Sequence, residues 1–163
     1  TSKILLAGSY VDPQVNHYRD IEQLIFSYAD YIDNGDFEAV AELFEHGQIC
    51  GSPGLWCNRG YDQVLKMNQR SVKLHEDTGT PCTKHVVSNL TIEINKQADT
   101  ASSKAYFTVF QALPNFPLQA IISGCYHDNF LNAEGQWRFR ERNIVSEFFG
   151  DLSHHLNAEM LEQ

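Results

Sequence analysis

Asp33 and His85 are the residues of this sequence whose types and placement invite a chemical reading. Asp33 falls at the end of a helical run, next to the face made by Tyr28, Ala29 and Ile32. There its carboxylate either points inward or caps the following turn. His85 stands at the head of a long strand, in Lys84-His85-Val86-Val87-Ser88-Asn89, where a lone histidine is either structural or a proton acceptor. A carboxylate beside an imidazole orients the ring and raises its basicity, which makes a general base near neutral pH. Strict alternation groups His85 with Val87, Asn89 and Thr91, opposite Leu90, Ile92 and Ile94, unless a bulge intervenes; which face lines an interior stays open.

The elements that must position these residues follow from periodicity. Asp12-Pro13 is a suitable helix entry, and Ile21, Leu24, Ile25, Tyr28, Ala29 and Ile32 form one apolar face of a first helix ending near Asp33-Asn34-Gly35. Asp36 caps a short second helix carrying Phe37, Val40, Leu43 and Phe44, and Gly47 closes it. Gln48 to Gly51 reads as a brief strand, and residues 52–60 as a loop whose Trp56 either lids a pocket or packs at an edge. Tyr61 to His75 forms a third helix. Four strands follow, over residues 84–95, 101–111, 120–131 and 136–148. Helices first and strands after predict an α+β fold: three N-terminal helices on a strongly curved, mainly antiparallel sheet, a cone with an interior cavity. One domain over residues 1–163 is expected, with an N-terminal arm (1–12) and a C-terminal tail (150–163).

Composition narrows the function. A chain of 163 residues can bury roughly 70% of its unfolded surface. Ten Phe, seven Tyr and two Trp can wall an apolar pocket for a small hydrophobic ligand. A net charge of -9 repels phosphate backbones and anionic lipid, so neither nucleic acid nor membrane is an expected partner. The four cysteines lie apart with no C-x-x-C pair and no zinc-ligand spacing; free thiols and no metal or organic cofactor are expected, and His154-His155 reads as part of a tail motif. The apolar stretch Ile4 to Gly8 is too short for a signal peptide core, so a cytoplasmic location is expected. Apolar residues on both strand faces, as in Ala105-Tyr106-Phe107 and Ile121-Ile122, predict a homo-oligomer.

Several segments together carry a resemblance. Ile21 to Ile25, Tyr28, Asp33, Gly35-Asp36-Phe37 and Leu43-Phe44, then Lys84 to Asn89, Ser123 to Tyr126, Gly135 to Phe139 and Gly150 to Leu156, resemble the SnoaL-like, scytalone dehydratase-like proteins of the superfamily named after nuclear transport factor two. The resemblance implies an α+β cone-shaped barrel with a deep pocket. It also implies a cofactor-independent dehydratase, isomerase or cyclase for a polycyclic, polyketide, steroid-like or aromatic substrate, and a homodimer or homotrimer. In dehydratase relatives an Asp from the first helix pairs with a His from the first long strand, positions matched by Asp33 and His85. A Tyr five residues before the Asp, matched by Tyr28, contributes in one of them. His85 is then the general base, Asp33 its support, and Tyr28 a hydrogen-bond donor to oxygen on which charge develops. Non-catalytic relatives imply the alternative of a ligand-binding or assembly subunit, as in the β subunits of aromatic-ring hydroxylating dioxygenases. The last strand departs from a relative with an Arg shortly after its Trp. If Trp137 and Phe139 face inward, so do Glu141 and Asn143, while Arg138, Arg140 and Arg142 face away. Trp56, Tyr126, Glu141 and Asn143 are accordingly the candidate pocket residues.

Overall fold

The structure, a computed structural model, describes residues 13–161 except 52, 53, 96 and 98, so the arm over 1–12 and the Asp12 cap lie outside the described residues. In chain order the elements are α1 (Pro13–Asn34), α2 (Phe37–Leu43), β1 (Gln48–Gly51), β2 (Trp56–Arg59), α3 (Gly60–Ser71), β3 (Thr83–Asn95), β4 (Thr100–Leu113), β5 (Phe116–Ala133), β6 (Gln136–Phe149) and α4 (Ala158–Leu161). Helices α1 to α3 pack on a six-stranded sheet of order β2-β1-β6-β5-β4-β3. All pairings are antiparallel except β1 with β6, so the fold is α+β as expected.

Helix α1 buries the apolar stripe its period dictates, with Ile21, Ile25, Tyr28, Ala29 and Ile32 inside. It stops at Gly35, whose φ of 72° is the left-handed conformation a helix exit favours. The Asp36 side chain then accepts from Ala39 N–H at 3.0 Å and starts α2. The core joins this helical layer to inward-facing Phe107, Val109, Tyr126, Phe130, Trp137 and Phe139 from the sheet.

The sheet curls without closing, because ladder irregularities bend it. Shifts occur at Ser88/Thr91, Val109/Phe110, Ser123/Gly124 and Asn129/Phe130. At the first, Asn89 adopts φ 52°, and Val87 as well as Leu90, Ile92 and Ile94 packs on the core. Both faces predicted for this strand therefore turn inward, one on each side of the bulge. At Gly124 a Cβ would collide with the Val145 carbonyl, so only glycine allows β5 and β6 to approach there.

Three local expectations are corrected. Helix α3 ends at Ser71 instead of His75, because Val72 is drawn into an extended bridge with Leu156. Residues 56–59 are a strand, antiparallel to β1 with Cys50 opposite Cys57. That register brings the two Cα atoms to 4.1 Å, and the cysteines form a disulfide; Cys82 and Cys125 are the free thiols. Such bridges are rare where thiols are kept reduced, which weighs against the cytoplasmic expectation. No helix is long and apolar enough to cross a membrane.

Candidate functional site

The end of α1 and the start of β3 meet at Asp33 and His85. Asp33 Oδ1 accepts from the His85 ring Nδ1 at 2.6 Å and from the Thr83 hydroxyl at 2.7 Å, and Oδ2 accepts from the His85 backbone N–H at 2.8 Å. Both side chains are more than nine-tenths buried. Burial acts to raise the Asp33 pKa, but the bonds and charge from His85 and the Thr83 hydroxyl outweigh it and hold the carboxyl below its ordinary value. An ionised carboxylate only accepts, so the Nδ1 of His85 carries a proton, and in the neutral form of the ring Nε2 holds the lone pair. This is the arrangement of a supported general base.

A second charged pair lies deeper in the same interior. Arg142 is fully buried, and its Nε and Nη2 donate to Asp128 at 2.9 and 2.6 Å. The guanidinium stands 4.3 Å from the centre of the Tyr28 ring, 4.2 Å from Tyr126 and 4.8 Å from Phe139. These are cation–π distances. Burial acts to lower the Arg142 pKa, and Asp128 more than compensates. Arg142 Nη1 is buried without a hydrogen-bond partner and is therefore a donor in reserve. Tyr28 and Tyr126 have ring centres 6.0 Å apart. Burial first, then Asp128 and Asp33 (with Tyr28 as well acting on Tyr126), raises both phenols against the pull of Arg142, so both remain neutral donors. Asp33 thus shares one electrostatic neighbourhood with Tyr28, Tyr126, Asp128 and Arg142.

Among the sequence-derived candidates, the structure brings Asp33 and His85 together and places Tyr28 and Tyr126 in the same core. It does not bring Trp56, Glu141 or Asn143 to them. Trp56 is part-exposed and packs its indole over Gly51. Glu141 accepts from the Gln48 side chain on β1, and Asn143 stands in register with Cys50. The expected alternation along β6 is corrected, because Asn129 pairs with Glu141 while the next residue, Phe130, pairs with Phe139. Arg140 is the extra residue, and past it Arg142 takes the inward position after Trp137 and Phe139. Thr83, Asp128 and Arg142 were absent from the candidates; the latter two lie in the polar runs His127-Asp128-Asn129 and Arg140-Glu141-Arg142-Asn143, which read as solvent-facing. Among the described residues no three His, Cys, Asp or Glu side chains converge as a metal site.

Residues 13–143 match the SnoaL-like domain family, and the chain belongs to that family. Solved structures share the fold. An NTF2-like protein with a cystatin-like fold from Novosphingobium aromaticivorans is 20% identical, with a TM-score of 0.70 over 92% of this chain and 91% of that one. A protein of the same organism proposed to be a scytalone dehydratase is 24% identical, with a TM-score of 0.67 over 86% and 90%. ActVI-ORFA from Streptomyces coelicolor is 15% identical, with a TM-score of 0.65 over 81% and 98%. At these identities the likeness is one of fold. No curated relative matches the chain.

Proposed function

We propose that this chain is a cofactor-independent lyase or isomerase, with dehydration as the favoured reaction, acting on a small hydrophobic polycyclic or aromatic substrate. The observation that carries the reading is the buried contact of 2.6 Å between His85 Nδ1 and Asp33 Oδ1. His85 Nε2 takes a proton from carbon next to a carbonyl, and Asp33 stabilises the imidazolium so formed. The electron pair forms the new carbon–carbon double bond as the β-hydroxyl departs, and the imidazolium returns the proton so that water leaves. Tyr28, the preferred donor, and Arg142 Nη1 can hydrogen-bond the carbonyl oxygen as charge builds on it. The aromatic interior suits an apolar frame. A homo-oligomer, dimer or trimer, belongs to the same reading.

The test is turnover of β-hydroxy ketones on bicyclic frames. His85→Ala is expected to abolish turnover with the fold intact by circular dichroism, and Tyr28→Phe to lower it by about 10²-fold, the scale of one lost hydrogen bond to developing charge. Full activity in the His85→Ala protein would sink the mechanism and favour the ligand-binding or assembly role.

A further inference from the structure

Beyond β6 the chain leaves the sheet and crosses to the connection between α3 and β3. Lys73 N–H donates to His155 O at 2.8 Å and Asn157 N–H to Ser71 O at 3.0 Å, while Val72 and Leu156 form an antiparallel bridge. The Gln111 side chain donates to Pro81 O at 2.9 Å and to His154 O at 3.1 Å. Gln111 is the register partner of Thr83, whose hydroxyl bonds Asp33. The crossing is therefore tied to the strand pair that carries the Asp33–His85 contact.

At this crossing His155 is only 9% exposed, and its Nδ1 is buried with no hydrogen-bond partner. A buried ring nitrogen left without a partner is costly and rare unless it serves a purpose. His85 and Asp33 lie within electrostatic reach of the ring. Burial first, then His85, with His75 adding and Asp33 opposing, lowers its pKa to about 4, so the imidazole is uncharged at neutral pH. A neutral imidazole offers one donor and one acceptor. An alcohol hydroxyl, which both gives and takes a hydrogen bond, fits either tautomer.

We propose that the C-terminal segment supplies His155 as a substrate-contacting residue of the Asp33–His85 site, its Nδ1 hydrogen-bonding an alcohol hydroxyl on the small apolar ligand. This rests on the function proposed above and names a group the ligand must carry. The residue lies outside the span matched by the family, 13–143.

The test uses β-tetralol, a bicyclic alcohol with no carbonyl to acidify its protons, against tetralin, which lacks the hydroxyl. Ring-nitrogen NMR of the histidines is followed during each titration in the wild-type protein. β-Tetralol is expected to shift both His155 and His85 and to bind about fivefold tighter than tetralin, the worth of one neutral hydrogen bond. In His155→Leu that preference falls to about unity with tetralin binding unchanged, and His155→Gln retains part of it; a purely structural role would weaken both ligands alike. Shifts at His85 without any at His155 overturn the proposal and leave the Asp33–His85 reading standing. No shift at either histidine overturns both.

Discussion

Asp33 holds His85 twice, by the ring Nδ1 at 2.6 Å and by the backbone N–H at 2.8 Å. The same carboxylate therefore fixes the tautomer of the base and the path of the strand that carries it. Position and tautomer of His85 cannot vary independently.

A pH dependence of stability follows. The Asp33 pKa is lower in the folded chain than in the unfolded one, so its contribution is complete above the unfolded value of about 3.9 and is lost as pH falls through the folded value. Asp33→Asn is expected to cost about 2 kcal/mol at neutral pH. It should also flatten the acid side of the Tm profile, read by calorimetry between neutral pH and the acid transition, and leave weakened turnover, because the amide still orients the ring but cannot stabilise its charge. A variant as acid-sensitive as the wild type would refute this account.

His155 acts in a different window. Its folded pKa of about 4 lies below its ordinary 6.5, so the unfolded chain takes up a proton that the folded chain refuses. Stability is full above 6.5 and declines as pH falls from 6.5 to 4, by about 3 kcal/mol at about 1.4 kcal/mol per pH unit. Replacing His155 with Leu should remove most of this decline. An unchanged Tm slope between pH 7 and 5 would show that the imidazole is not the titrating group.

Arg142 and Asp128 form a fully buried pair, and removing one partner leaves the other charge without compensation. Arg142→Met or Asp128→Asn alone is expected to destabilise by about 3–5 kcal/mol, and the double variant by less than the sum. Additive losses in chemical denaturation would mean that the two side chains do not depend on each other.

The outer surface of the sheet exposes Phe148 at 70%, with Val86 and Tyr106 about half exposed on the same face. A contact between copies of the chain would cover such residues. Sedimentation at micromolar concentration is expected to give a dimer or trimer, and Phe148→Asp a shift towards the monomer. A wild-type monomer would remove this part of the proposal.

Much of this architecture was legible because it rests on period. Ile21, Ile25, Tyr28 and Ile32 announced α1 and its buried face, and alternation announced the long strands. Asp33 and His85 could be named because each ends or begins a regular element. Arg142 escaped because the extra Arg140 reverses the alternation, and a bulge leaves no periodic trace in one sequence. Asp128 escaped with it, since a carboxylate in a strand reads as solvent-facing until its buried partner is known. The Cys50–Cys57 bridge was hidden by spacing that resembles a loop. Only the hairpin register puts the two sulfurs opposite each other.

The extra residue in β6 bears on how such a chain diverges. A deletion of Arg140 would restore plain alternation with Glu141 still outward and Arg142 still inward, whereas a strand that kept Arg140 without the bulge would exchange the side chains beyond it, turning Glu141 inward and Arg142 outward. Gain or loss of one residue that the ladder does not absorb as a bulge is thus a single genetic event that can swap a cation for a carboxylate in the interior and preserve the strand order. Relatives with the same sheet can differ in the charge of their interiors through strand length, a difference that comparing aligned positions one by one would misread as several independent substitutions.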